Sequence, residues 1–166
     1  MSDASERALL ALPVLYENID GRVGHLESKH QERLHCTKGC AQCCTDDLSV
    51  QEVEAAHIIR SVGDRLRGSE PGPTGGCAFL DTNDACRIYE ARPYVCRTQG
   101  LPLRWIEGST ERRDICPLNE AGPPIEKLEA ESCWTLGPVE DRLGLLQSLR
   151  PETERISLRA LFERLR

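Results

Sequence analysis

The sequence predicts a mainly α fold in which helices flank and pack a small, irregular core rich in cysteine. Three observations lead there. Apolar residues recur at helical spacing near both ends of the chain, eight of the nine cysteines lie between residues 36 and 116, and no strand-like run alternates with helical ones as a doubly wound sheet requires. With 166 residues, 39% of them apolar, the chain fits a single domain over 1–166, made of an N-terminal helical arm (1–35), a cysteine core (36–117) and C-terminal helices (118–166). Phe, Trp and Tyr supply only 4% of the residues, so aliphatic helix faces and something other than aromatic packing are expected to hold the middle together, and cross-links are a natural substitute.

Taken in order, Leu15, Ile19, Val23 and Leu26 recur at steps of four, four and three, which predicts one buried stripe on a helix from about Pro13 to the first cysteine. Gly21 weakens that helix, and a short separate helix can precede Pro13. In "LSVQEVEAAHIIRSVGDRL", Ser49 followed by Glu52 has the spacing of a capping box, and Ala55, Ile59, Val62 and Leu66 form the expected buried stripe. The glycines and prolines from Gly68 to Gly76 then require a loop. "CAFLDTNDACRIYE" reads as two very short extended pieces around a polar turn, and "RPYVCRTQ" as one or two helical turns with Pro93 at the first position. "GPPIEKLEAESCW" predicts a short helix, and Pro138 to Leu149 and Thr153 to Leu165 predict two more, separated by Pro151.

The N-terminus lacks a basic start followed by a cleavable apolar stretch, and no run approaches the ~20 apolar residues that span a bilayer. A cytoplasmic protein without a membrane association is therefore expected, and there thiols stay reduced. Nine cysteines, odd in number and including the vicinal pair Cys43 and Cys44, then argue for metal ligation over a disulfide framework. In "CTKGCAQCC", Cys36, Cys40, Cys43 and Cys44 would share one face of a helix. Eight residues of helix cover ~12 Å, however, whereas one tetrahedral zinc holds each sulfur at ~2.3 Å. Three arrangements remain open: an irregular loop turned by Gly39, thiols divided between two centres, or corners of a larger cluster shared with Cys77, Cys86, Cys96 and Cys116. The net charge of −6 makes nucleic acid an unexpected partner. Arginine dominates the cations, and "RPYVCR" and "ERRD" place several where they could offset thiolate charge.

"CTKGCAQCC", then "CAFL", then "CRIYEARPYVCR", and finally the "CP" of Cys116 and Pro117 together resemble the YkgJ-type cysteine-cluster proteins over about residues 36 to 117. That family is described as a zinc- or iron-chelating domain and often labelled an iron-sulfur oxidoreductase. The resemblance implies a ligand set of Cys36, Cys40, Cys43, Cys44, Cys77, Cys86, Cys96 and Cys116, with Cys133 left as an ordinary buried thiol. The cysteine region is also similar to one within bacterial lysine N-methylases acting on flagellin, where an iron-sulfur cluster is implied. Cys36, Cys40 and Cys43 match the Cx3Cx2C spacing of radical SAM enzymes too, but the chain is too short for their barrel and Cys44 does not fit.

All-sulfur ligation suits zinc and iron-sulfur clusters alike. Only Cys40 and Cys43 have the CxxC spacing that zinc knuckles repeat, whereas a 4Fe-4S cluster accepts widely separated thiolates, so iron-sulfur is expected and Zn2+ is the alternative. Among the histidines only His35 has a claim as a ligand; His25, His30 and His57 are expected to be solvated. Arg92 and Arg97 flank Cys96 and are candidates for hydrogen bonds to cluster sulfurs or to an anionic substrate, with an ion pair to Glu90 or solvent exposure as the alternative. Tyr89 and Tyr94 are expected to pack, and Trp105 and Trp134 to cover the centre. No catalytic triad, phosphate loop or carboxylate pair stands out. The expected function is electron transfer, or part of a protein-modification reaction, with a protein or redox partner; the alternative is a zinc-chelating structural or metal-handling module without catalysis.

Overall fold

A computed structural model describes residues 2–151 and 154–166. Helix α1 (Asp3–Lys29) opens on Ser2, whose hydroxyl accepts the Ser5 N–H at 3.2 Å, and Asp3 and Glu6 in its first turn suit the positive end of the helix dipole. Leu15, Ile19, Val23 and Leu26 are buried as expected. The helix nevertheless starts ten residues early and runs straight through Pro13, because its first turns bury Ala8, Leu9 and Leu12 and that burial outweighs the hydrogen bond proline cannot donate.

Strand β1 (Ser49–Val50) precedes α2 (Glu52–Leu66). The expected cap at Ser49 is displaced to Gln51, whose N–H donates to Glu54 at 3.2 Å, since Ser49 is taken up in pairing with Ser157. The buried stripe of α2 contains Ala55, Val62 and Leu66, but Ile58 fills the place expected for Ile59, which is 39% exposed. Steps of 55, 58, 62 and 66 are equally helical, and the chain that closes over α2 selects them.

Between α2 and the next helix the chain is irregular. Asp81 accepts the N–H groups of Asn83 and Ala85 at 2.8 and 2.9 Å, making the polar turn between short pieces bridged at Leu80 and Cys86, as the sequence suggests. The one turn of α3 (Tyr94–Arg97) follows Pro93, which stands at its N-cap.

A mainly α description needs correction at this point. Strands β2 (Leu103–Glu107) and β3 (Thr110–Asp114) form a hairpin, and β4 (Trp134–Thr135) adds parallel to β2. The hairpin escaped notice because it carries little burial to pattern: ion pairs Arg104–Glu111 at 2.8 Å and Arg112–Glu107 at 2.9 Å join its strands, and Gly108 turns it at φ 63°. "GPPIEKLEAESCW" forms no α-helix; two 3-10 turns, Ile125–Lys127 and Ala130–Ser132, deliver Trp134 to the sheet. Helix α4 (Pro138–Gln147) stops two residues short of the expected Leu149. The last expected helix begins at Thr153, which lies outside the described residues; β5 (Ile156–Ser157) pairs with β1, and α5 (Leu158–Leu165) starts only after it, capped by Ser157.

Two apolar clusters result. One joins α2, α5 and the 77–88 segment, with Phe79 edge-on to Phe162 at 5.2 Å. The other joins α1, α3, α4 and β4 around the fully buried Trp134. Among the described residues no helix is long and apolar enough to cross a membrane.

Candidate metal centre

The segment that carries the first four cysteines is not helical. Two successive tight turns, closed by Cys40 N–H on Thr37 O and Cys44 N–H on Ala41 O, both at 2.9 Å, follow Gly39 at φ 91° or straddle it. Glycine alone tolerates that backbone easily. Of the three open arrangements, the irregular loop is the one observed for the backbone.

Backbone pairing brings the distant cysteines to this loop. The Cys77 N–H donates to Cys44 O at 2.8 Å beside the Thr45 to Gly76 bridge, and the Leu80 to Cys86 bridge returns Cys86 to the same segment. Cys96 lies on α3, and Cys116 starts the Pro117–Asn119 turn. Cys36, Cys40, Cys43, Cys44, Cys77, Cys86 and Cys96 line one cavity of about 630 Å³, with Lys38, Arg92 and Arg97 also in its wall. Cys116 is not in that wall, but it is an electrostatic neighbour of Cys36.

Hydrogen-bond donors support individual sulfurs. The fully buried Asn119 donates through Nδ2 to Cys36 Sγ at 3.4 Å and to Gly100 O at 2.8 Å, while its Oδ1 accepts the His35 N–H at 2.9 Å. Gly100 stands at φ 89°, and a Cβ there would lie 2.5 Å from Cys36 Sγ, so the sulfur occupies space only glycine leaves. The backbone N–H groups of Phe79 and Ile88, each two residues on, act to lower the Cys77 and Cys86 thiols, the same offset at both. Such bonds favour thiolate. Burial opposes them, pushing the Cys77, Cys86 and Cys96 thiols up, so those thiolates need a cation to persist. Cys43 is lowered to about 6 because the Cys44 thiol donates to it, and Cys44 is raised in consequence.

Eight soft thiols, glycine clearance at one of them and N–H donors at three fit a thiophilic metal or cluster. Among the described residues no three His, Cys, Asp or Glu side chains are already closed to the spacing of a single ion.

Arg92 stacks on Tyr89 at 4.0 Å, and its buried Nε has no hydrogen-bond partner. Arg97 commits its two terminal nitrogens to Asp20 at 2.6 Å and Glu90 O at 3.0 Å and lies over Tyr16 at 3.9 Å, leaving only Nε unpaired. The Glu90 contact thus exists, through the backbone carbonyl rather than the carboxylate. His35 is exposed and enters through its backbone N–H. His25 is exposed, but His30 and His57 are not solvated as expected: His30 is buried with Nε2 2.6 Å from Ser132 O, and His57 is half-buried, edge-on to Tyr16. Trp134 does not cover the cavity; its Nε1 donates to Tyr94 Oη at 2.8 Å inside the second apolar cluster. Trp105, half-buried on β2, is not in the cavity wall either. Cys133 is buried beside Arg113.

Sequence reading missed Asn119 and Gly100. The "CPLN" run and the "QGLP" turn hold them, but only a folded chain relates either to Cys36.

A cluster of reduced cysteines held this way defines a metal-binding protein. Residues 35–117 match the CxxCxxCC family, described as "Putative zinc- or iron-chelating domain", and the chain belongs to that family. No curated protein and no solved structure matches the chain.

Proposed function

We propose that this chain carries an iron-sulfur cluster, of the 4Fe-4S kind, and uses it to pass electrons or to support a modification reaction on a protein partner. The observation that carries the reading is the cavity itself: about 630 Å³ with seven thiols in its wall. A single tetrahedral ion draws its sulfurs to ~2.3 Å and encloses almost no space, whereas a cluster of iron and sulfide takes thiolates spread around a larger volume. When bound, such a group supplies one-electron chemistry.

The chain's own residues supply the rest. Cys36, Cys40, Cys43, Cys44, Cys77, Cys86, Cys96 and Cys116 are the ligand pool. The Phe79, Ile88 and Asn119 N–H groups withdraw charge from sulfur. Arg92 offers its unpaired Nε to the bound group or to an anionic ligand, and Arg97, pinned by Asp20, forms the wall behind with its own free Nε. The family description allows zinc as well as iron.

The test is elemental analysis for iron, zinc and acid-labile sulfide with a visible spectrum, on full-length protein purified without air. Iron with matching sulfide and a broad absorption toward the violet is expected. Zinc alone in colourless, folded protein would overturn the electron-transfer reading.

A further inference from the structure

We infer that the eight cysteines form two separate metal centres of four thiolates each, an inner one of Cys44, Cys77, Cys86 and Cys96 and an outer one of Cys36, Cys40, Cys43 and Cys116. This rests on the metal-binding reading above and adds to it the number of centres and the division of ligands.

Within the cavity whose wall seven of the eight share, packing distinguishes the two sets. Cys77 belongs to the apolar cluster of α2 and α5, and Cys44, Cys86 and Cys96 pack against that same cluster. Among the described residues, the other four are not part of the packing of either cluster. Cys36, in the outer set, is exposed and Cys77, in the inner set, is buried, while the other six are partly covered. Backbone contacts follow the same division: Cys77 N–H bonds Cys44 O at 2.8 Å, and the Leu80 bridge ties the Cys77 turn to Cys86. In the outer set, one residue joins both ends of the sequence, since Asn119 holds Cys36 Sγ through Nδ2 and Cys116 O through its N–H at 2.8 Å.

Electrostatic neighbours agree. Cys36 feels Cys40, Cys43 and Cys116; Cys96 feels Cys77 and Cys86; and Cys44 feels Cys77 and Cys96. Cys43 alone faces both ways, toward Cys44 and Cys96 as well as Cys36. Because Cys43 and Cys44 are adjacent in the chain, the two centres lie side by side.

Ligand counting gives the division its chemical reason. One tetrahedral ion or one four-cornered cluster takes four thiolates, so a single centre would leave four idle. The inner set, enclosed by apolar side chains, suits a closed site that holds the fold. The outer set, with the exposed Cys36, suits the centre that reacts or exchanges.

The experiment measures metal per chain on anaerobically purified wild type, Cys40→Ser and Cys77→Ser, with native mass spectrometry to count centres. Each single variant is expected to lose one centre and keep the other, so metal falls by about half. Loss of all metal from the folded Cys40→Ser protein would overturn the inference and leave one shared centre, without touching the iron-sulfur reading. Two zinc ions and no sulfide would sink that reading while the two centres stand. Should Cys77→Ser not fold, alkylation of the wild-type holoprotein during graded chelation decides: Cys36, Cys40, Cys43 and Cys116 label first if the centres are separate, and all eight label together if they are not.

Discussion

Cys36 is the cysteine whose surroundings are most specific, and two residues make them so. Replacing Gly100 with alanine places a methyl 2.5 Å from its sulfur in a backbone at φ 89°, so either the turn or the sulfur must move. Gly100→Ala is expected to weaken metal retention, seen as faster loss to a competing chelator, with helix content unchanged. Asn119→Ala removes a fully buried donor to the same sulfur and should cost about 10- to 100-fold in metal affinity, the range typical of groups that orient a ligand. Asn119→Asp should be worse, because it turns an oxygen toward thiolate where a donor stood. Glu54 is a residue of another kind, 2% exposed and accepting from Tyr16 Oη at 3.0 Å and the Tyr94 N–H at 2.8 Å. Burial raises its pKa against those bonds and the nearby Arg155. A raised carboxyl contributes stability that is full below the ordinary Glu value of about 4.3 and lost as pH rises through the folded value. Thermal midpoints of wild type and Glu54→Gln across that range should therefore converge in acid and separate as pH rises, with the variant losing less; parallel profiles would show that Glu54 does not titrate there.

At the scale of elements, α1 illustrates tertiary context overriding local preference. Proline inside a helix costs roughly 3 kcal/mol, yet Pro13 sits mid-helix because the residues before it are buried against α4 and its neighbours. Pro13→Ala should accordingly stabilise the protein by about 1 to 3 kcal/mol, read from the urea midpoint at unchanged slope. The missed hairpin teaches the opposite. Strands β2 and β3 are ordered by cross-strand Arg and Glu pairs and by the two-residue parallel pairing of β2 with β4, Leu103 with Trp134 and Arg104 with Thr135, which no local pattern announces. The capping error at α2 has the same source: Ser49 has the right chemistry for a cap but a partner strand claims it.

For the molecule as a whole, Cys44, Cys77, Cys86 and Cys96 pack with the apolar cluster of α2 and α5. Stripping metal under reducing conditions should therefore raise hydrogen exchange first in the 77–88 segment and the chain around residue 44, where order depends on ligation. The cluster around Trp134 has no ligand in its core positions, and its fluorescence should stay that of a buried indole until a later step. Simultaneous loss of both signals would mean that metal supports the entire fold.

The sequence by itself determined the helices whose apolar spacing is unambiguous, the loop of Gly68 to Gly76, and a thiol-rich metal-binding region, because soft-ligand chemistry and the reading of helical periods are local properties. Only the tertiary structure decided that Ile58 and not Ile59 faces the core, that "LRWIE" is a strand, that Trp134 packs away from the cavity, and that Asn119 and Gly100 shape the surroundings of Cys36. Each of these depends on a partner that another segment supplies, and the pattern of a chain records what a residue prefers, not which segment arrives to meet it.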